Sequence, residues 1–445
     1  MSNNQWIIYS NAQLIENGVL EIGDGYRAKN SEMGPFGLPF ARAGNIDNGF
    51  HFDDADLLDE INIPRAGSKI SRPGDVVFTS KGTVGRFAFV KQRTPQFVYS
   101  PQLCYWRIKN SSVIDPRFLF YWMHGRDFTN QVHQVKGLTD MADYVSLGDQ
   151  RRMKITAPPL PTQHKIAAIL AAYDDLIDNN TRRIAILEEM AQSLYREWFV
   201  HFRFPSHEKN GMVESELGMI PEGWEVKPIG KLLKYHIGGG WGQEEINEES
   251  TEPAYVIRGT DLPLARYCSV NKCPLRFHKQ SNIDTRKLLP DDIVFEVSGG
   301  SKGQPVGRSL LVSRKLLSIF DEEVICASFC KLLRVDRDII LPELLYLHLL
   351  DIYEDERIEK YQVQSTGIIN FKFAYFLEDD FVIVPGTEWQ IRFKALVNPL
   401  FESIQILGVK NANLRRTRDL LLPKLVSGEV DVEEMKVEEV VQNVM

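Results

Sequence analysis

The sequence predicts an α+β protein in which two pseudo-symmetric globular α/β halves are joined by two long helices forming an antiparallel coiled coil. Three observations predict it. Residues 162 to 202, TQHKIAAILAAYDDLIDNNTRRIAILEEMAQSLYREWFVHF, read as one helix of roughly 60 Å at about 1.5 Å per residue. The stretches on either side of it match each other at offsets of about 216 to 230 residues, and a second heptad-patterned stretch appears on shifting the first by 227.

The matching elements follow in chain order. Trp6 with WIIYSNAQL opens the first copy and Trp224 with WEVKPIGKLL the second. ARAGNI at 41 to 46 echoes VIRGTDL at 256 to 262. GDVVFTSKGTVGRFAFV at 74 to 90 parallels DDIVFEVSGGSKGQPVGRSLLV at 291 to 312: an apolar strand, a glycine-rich turn with Lys, then Gly-Arg and another strand. DPRFLFYWM at 115 to 123 parallels LPELLYLHL at 341 to 349, each a proline followed by an apolar helix.

In the first long helix Ile166, Tyr173, Asn180, Leu187 and Leu194 recur every seven residues, interleaved with Leu170, Ile177, Ile184, Ala191 and Trp198. In the second, Phe393, Leu400, Leu407, Leu414 and Leu421 interleave with Val397, Ile404, Asn411, Arg418 and Leu425. Spacings that alternate four and three are those of a coiled-coil seam, and a buried asparagine in such a seam fixes register at some cost in stability. Setting Asn180 opposite Asn411 in an antiparallel pair places Ile166 near Leu425, Trp198 near Phe393 and Tyr173 near Arg418. Pro399 predicts a bend in the second helix, or a helix that starts only after it.

TAPPLPTQ at 156 to 163 and IVPGTEWQ at 383 to 390 are proline breaks. They divide the chain into a first globular half (1–158), a first helix (159–204), a linker and second half (205–385), a second helix (386–430) and an acidic tail (431–445) that is either a short helix or frayed. Residues 204 to 225 read as a polar linker.

The 445 residues are 43% hydrophobic and 25% charged, a globular composition. No apolar run approaches the roughly 18 to 20 residues needed to cross a bilayer and no secretory signal opens the chain, so a cytoplasmic protein is expected. Cys104, Cys268, Cys273, Cys326 and Cys330 form no CxxC pair, and VICASFCKLL reads as core strand, so reduced thiols are expected and no metal site. The net charge of −8 is unevenly spread: +2 over 1–158, −1 over 159–204, −8 over 205–385 and −1 over 386–445. No acid falls between Asp75 and Asp115, where Lys81, Arg86, Lys91, Arg93, Arg107 and Lys109 lie, or between Glu296 and Asp321, where Lys302, Arg308, Arg314 and Lys315 lie. Local basic surfaces are therefore compatible with an acidic chain.

Motifs for catalysis are absent. There is no GxxxxGK[ST], GxSxG or HExxH, GGGWG at 238 to 242 lacks GxGxxG spacing, and no Asn-Pro-Pro-aromatic loop of an adenine methyltransferase occurs. PDDIVFEVS at 290 to 298 carries Ser298 where a PD...ExK nuclease needs Lys. A protein that binds and positions is expected, with no cofactor.

PPLPTQHKIAAIL, QSLYREWFVHFRFP, ELGMIPEGWE and LLPKLVSGE, arranged around two variable halves, resemble the specificity subunits of type I restriction-modification systems. The resemblance runs from Trp6 to about Val430 and departs at Pro399 and at GTEWQIRF. It implies two target-recognition domains that read a bipartite double-stranded DNA target. It also implies two methyltransferase (modification) subunits and restriction (endonuclease/translocase) subunits assembled around a chain that is itself non-catalytic. Modules some 50 to 60 Å apart would meet half-sites roughly one and a half turns apart, at about 34 to 36 Å per turn. In such a protein Lys and Arg hold phosphates, while Arg, Asn, Gln, Ser or Thr read base edges. The paired glycine-rich turns supply Lys81, Thr83 and Arg86 with Lys302, Gln304 and Arg308, and the same acid-free windows add Lys91, Arg93 and Arg314. Tyr26, Arg27 and Lys29 of GDGYRAKN correspond to Trp241 and Gln243 of GGGWGQ, and Arg258 opens a basic stretch at 258 to 287. The outer helix faces around Arg182, Arg183, Glu188 and Glu189 are candidate docking surfaces for the methyltransferase subunits. Two other readings are a protein scaffold without DNA reading and an enzyme with unrecognised motifs.

Overall fold

The computed structural model describes residues 6–46, 49–82, 84–135, 144–270, 272–299, 304–365 and 368–436. They form two compact units, residues 1–177 with 414–445, and residues 178–413.

The first unit is built on four antiparallel strands in the order Leu20–Asp24, Leu103–Ile108, Val76–Thr79, Phe87–Phe89. The central strands are apolar runs because both of their faces are covered. Val76, Phe78 and Trp106 face a core shared with Phe118 and Trp122 of the helix Pro116–Met123. The alternate residues Val77, Leu103 and Tyr105 face Phe97 and Tyr99 on the other side. A small sheet pairs Gly37–Ala41 in parallel with Val98–Tyr99, and Ile7–Ser10 pairs with Lys154–Ala157.

The second unit repeats this plan. Its four antiparallel strands run Leu233–Gly238, Cys330–Val335, Ile293–Glu296, Ser309–Leu311. Glu252–Ile257 pairs in parallel with Glu323–Cys326, and Glu225–Pro228 closes against Phe381–Val384. The alternation is the same: Ile293, Phe295 and Leu333 face the helix Pro342–Glu354, while Val294, Leu332 and Cys330 face a second core. The expected duplication is thus present strand by strand.

The long helices run Leu160–Tyr195, continued by a π-helical turn Arg196–Val200, and Thr387–Val426. They pair antiparallel. In the second unit Asn180 Nδ2 donates to Asn411 Oδ1 at 2.9 Å, with the two residues 1% and 3% exposed. Ile184 packs with Ile404 and Leu407, and the rings of Trp198 and Phe393 lie 5.8 Å apart. In the first unit Ile166, Leu170, Tyr173 and Ile177 share a core with Leu414, Leu422 and Leu425, and Arg418 pairs with Asp174 at 2.5 Å. The register set by the two asparagines therefore holds.

Each helix also begins with the same clamp. Gln163 accepts from Asp115 N and donates to the carbonyls of Val113 and Pro158. Gln390 accepts from Leu341 N and donates to those of Ile339 and Pro385. The start of the second helix, which looks drifted in sequence, keeps this one side chain.

Three segments gain detail in the structure. The second helix starts at Thr387 and passes through Pro399 as one helical segment, so of the two expectations at this proline the late start is excluded. Pro399 and Ala395, whose carbonyl the proline leaves without its amide partner, are both on the exposed face, where that carbonyl is open to solvent. The polar linker is ordered, with a hairpin of Met212–Ser215 and Gly218–Pro221 and a Trp224 ring stacked 5.1 Å from Phe204. The tail starts docked: Val432 is buried, and Lys165 Nζ donates to the carbonyls of Val432 at 3.3 Å and Glu433 at 2.5 Å. Residues 437–445 lie outside the described residues.

Replacing Asn180 alone by Leu strands the Asn411 amide in the seam and is expected to lower stability by about 1 to 3 kcal/mol. The double substitution Asn180→Leu/Asn411→Leu is expected to lose less, as read from denaturation midpoints.

Candidate nucleic-acid interface

In the first unit backbone bonds gather four turns at one edge of the sheet. Tyr26 N donates to Tyr99 O (2.7 Å), Ser100 N to Ala41 O (2.9 Å) and Ser80 N to Gln102 O (3.0 Å). Ala43 N donates to Gln102 Oε1 (3.1 Å), and Arg86 Nη1 reaches Ala43 O (3.2 Å). Gly25 is needed here, because a Cβ would sit 2.0 Å from Ser100 O. Arg27, Lys29, Lys81 and Arg86 are all exposed at this edge, and none makes an ion pair among the described residues. Tyr26 is half-buried and donates to Glu32 at 3.2 Å; burial, then Glu32, raises its phenol pKa.

The second unit builds the corresponding edge. Gly240 N donates to Cys326 O (2.9 Å) and Ala327 N to Ile257 O (2.8 Å), while a Cβ on Gly239 would meet the Cys326 and Ala327 carbonyls at 2.2 Å. Gly240 therefore stands where Tyr26 does, Trp241 where Arg27 does and Gln243 where Lys29 does. Trp241 is exposed, with the Arg276 guanidinium 5.1 Å over its ring. Gln243 is exposed and pairs through its backbone with Phe277 in both directions at 2.9 Å.

Several residues singled out in the sequence have their charge engaged inside the fold. Arg308 grips Glu296 through two bonds of 2.8 and 2.6 Å, with only 14% and 3% of the two side chains exposed. Arg258 holds Asp261 bidentately at 2.8 Å, and Lys91 pairs with Asp175 of the first helix at 3.1 Å. Along the rest of the basic stretch Arg266 pairs with Glu188, Arg276 with Glu244, Lys279 with Glu249 and Lys287 with Glu323. Arg93, Gln304 and Arg314 are exposed. Thr83 and Lys302 lie outside the described residues.

The most strongly placed charges were missed as such in the sequence. Arg107, counted above among the basic window, donates Nε and Nη2 to the two oxygens of Asp75 at 2.7 Å, and Arg72 N caps the same carboxylate at 2.8 Å. Arg334 repeats the fork on Asp292 at 2.8 Å, capped by Leu289 N at 2.7 Å. The signal was present: aligned strands GDVVF with DDIVF and YWRIK with LLRVD keep one Asp and one Arg in step. With Asp291 on Arg337 and Glu296 on Arg308, the acids of PDDIVFEVS are structural partners of arginines. Burial pushes the Cys326 thiol up to about 12, and Cys326 and Cys330 lie in core strands.

Residues 17–189 match the family model described as the type I restriction modification DNA specificity domain. The chain is 26% identical over 384 residues to the type I restriction enzyme MjaIX specificity subunit of Methanocaldococcus jannaschii, covering 85% of this chain and 82% of that one. It is 21% identical over 442 residues to the HindI specificity subunit of Haemophilus influenzae, covering 88% and 94%. Over most of its length the chain is thus similar to specificity subunits of type I restriction enzymes. A solved specificity subunit from M. genitalium shares the fold, with a TM-score of 0.55, 14% identity and coverage of 96% of this chain and 97% of that one. No described helix is long and apolar enough to cross a membrane.

The duplicated Arg–Asp forks hold each sheet to its turn. Arg107→Met leaves the Asp75 carboxylate buried without its counter-ion, and a loss of about 3 to 5 kcal/mol is expected in chemical denaturation.

Proposed function

We propose that this chain is a type I restriction-modification specificity subunit, the non-catalytic DNA reader of its complex, acting on a bipartite double-stranded target in the cytoplasm and positioning two methyltransferase subunits and the restriction subunits on it. The observation that carries this reading is the duplication itself. One strand order is built twice, each copy ends in a turn cluster with its own side chains, and both copies contribute a helix to one pair. A common frame with unlike turns suits two readers of unlike sequences, and a repeated frame offers equivalent surfaces to two identical partners.

The DNA-facing residues proposed on this basis are Arg27, Lys29, Lys81, Thr83, Arg86 and Arg93 in the first half, and Trp241, Gln243, Lys302, Gln304 and Arg314 in the second. Arg308, Arg258 and Lys91 drop out because their charge is already neutralised. Tyr26 supports the first turn through Glu32.

Co-expression with a candidate modification subunit, followed by mapping of methylated adenines, tests the proposal. A two-part motif that appears only with this chain is expected. Methylation without any motif dependent on the chain would favour a scaffold, and methylation by the chain alone would make it an enzyme. Lys81→Ala/Arg86→Ala is expected to weaken binding to the first half-site by about tenfold or more at low salt and by less at high salt. Inserting matched heptads into both long helices is expected to lengthen the unspecified spacer of the motif while leaving its two specific parts unchanged.

A further inference from the structure

We infer that the two halves divide the work of DNA binding unequally: the first supplies most of the salt-dependent attraction to phosphates, and the second holds its half-site chiefly through uncharged polar and aromatic side chains. This rests on the DNA-reading proposal and partitions its energy between the copies.

The backbone bonds that superimpose the two edges allow a position-by-position comparison. Arg27 and Lys29 in the first copy are exposed cations, whereas Trp241 and Gln243 at the same places carry no charge. Arg86 and Arg308 are also equivalent, since Thr79 N donates to Arg86 O and Glu296 N to Arg308 O. The partner residue decides their fate. In the first copy it is Thr79, which accepts from the Arg86 backbone amide at 3.0 Å and has no charge to set against the guanidinium. In the second it is Glu296, which neutralises Arg308 in a largely buried fork. Lys81 and Lys302 balance each other in sequence.

The turn that follows Gln243 then adds Glu244, Glu245, Glu248 and Glu249, all exposed, and two of them bind Arg276 and Lys279. The first copy has exposed acids as well: Asp53 and Asp54 lie on the loop held to Asn45 through His51, where the exposed cations Arg27, Lys29, Lys81 and Arg86 of the same unit outnumber them. The sums agree: the first globular half carries +2 and the second −8. A cation already paired with a carboxylate displaces little condensed counter-ion from a duplex, and unpaired carboxylates repel phosphates, so the second edge gains little from low salt. What it does present is aromatic surface. Trp241 is 42% exposed with Arg276 stacked on it, and Phe329, which sits where Gln102 does in the first copy, is 59% exposed.

The test uses the chain purified with its modification subunits and a duplex carrying the mapped target, with affinity followed between roughly 50 and 200 mM salt. Arg27→Gln/Lys29→Gln/Arg86→Gln is expected to reduce the slope of log affinity against log salt by about 2 to 3, near 0.9 for each phosphate no longer neutralised. Arg276→Gln/Lys279→Gln/Lys287→Gln is expected to change it by less than about one. Trp241→Ala/Gln243→Ala is expected to cost roughly tenfold in affinity with the slope unchanged, as when a base edge goes unread while the phosphates stay neutralised. The pair Arg27→Gln/Lys29→Gln, fully on the surface, repeats the first arm without touching Arg86, and denaturation midpoints check folding. Equal slope changes from the two triples, or a slope change from the Trp241 pair, would overturn the unequal division. Absence of sequence-dependent binding by the unsubstituted complex would overturn the DNA-reading proposal with it.

Discussion

The hydrogen bond from Asn180 to Asn411 is the constraint around which the helices are arranged. In a seam of leucine and isoleucine, each amide relies on the other, with Thr181 Oγ1 as a further acceptor at 3.3 Å, to replace the water it gave up. Any slip of one helix against the other would bury both amides unpaired, at a cost of about 1 to 3 kcal/mol each. Apolar residues make the pairing favourable and the asparagines make one register favourable. With that register fixed, Ile166 shares a core with Leu425 in one unit and Trp198 meets Phe393 in the other.

The same economy recurs in the globular halves. Gln163 and Gln390 lock the helix starts, and Arg107–Asp75 and Arg334–Asp292 lock the sheets, with matching atoms and nearly matching distances. These side chains are polar and bonded within the fold, so they specify geometry as well as stabilise it. Against this constant frame the turns differ freely in charge and shape, as the proposed reading of two unlike sequences requires.

Most of the frame was legible in the sequence. The heptads, the repeated strand–turn–strand and the two central asparagines are periodic or duplicated signals, and such signals survive without three-dimensional information. The fate of individual arginines was not legible, because it depends on partners remote in the chain: Arg107 lies 32 residues from Asp75, and Arg308 lies 12 from Glu296. An acid-free window in sequence is therefore not a free basic surface. At Pro399 the late helix start failed for a related reason, since the cost of a helical proline depends on whether the carbonyl it frees faces solvent. The hairpin over 212–221 was hidden by polar composition, although Gly218, at φ +92°, sits where its turn needs a left-handed residue.

The first unit takes its last core side chains from the far end of the chain. Leu414, Leu422, Leu425 and Val426 cover Ile166, Leu170 and Tyr173, and Gly428 approaches the Trp6 ring so closely that a Cβ there would lie 2.7 Å from Nε1. Residues 178–413, by contrast, are contiguous. On the ribosome the order of completion is therefore the reverse of the order of synthesis. The half made first waits with an uncovered apolar stripe until translation is nearly over, and that interval is when the nascent protein most needs shielding from its neighbours.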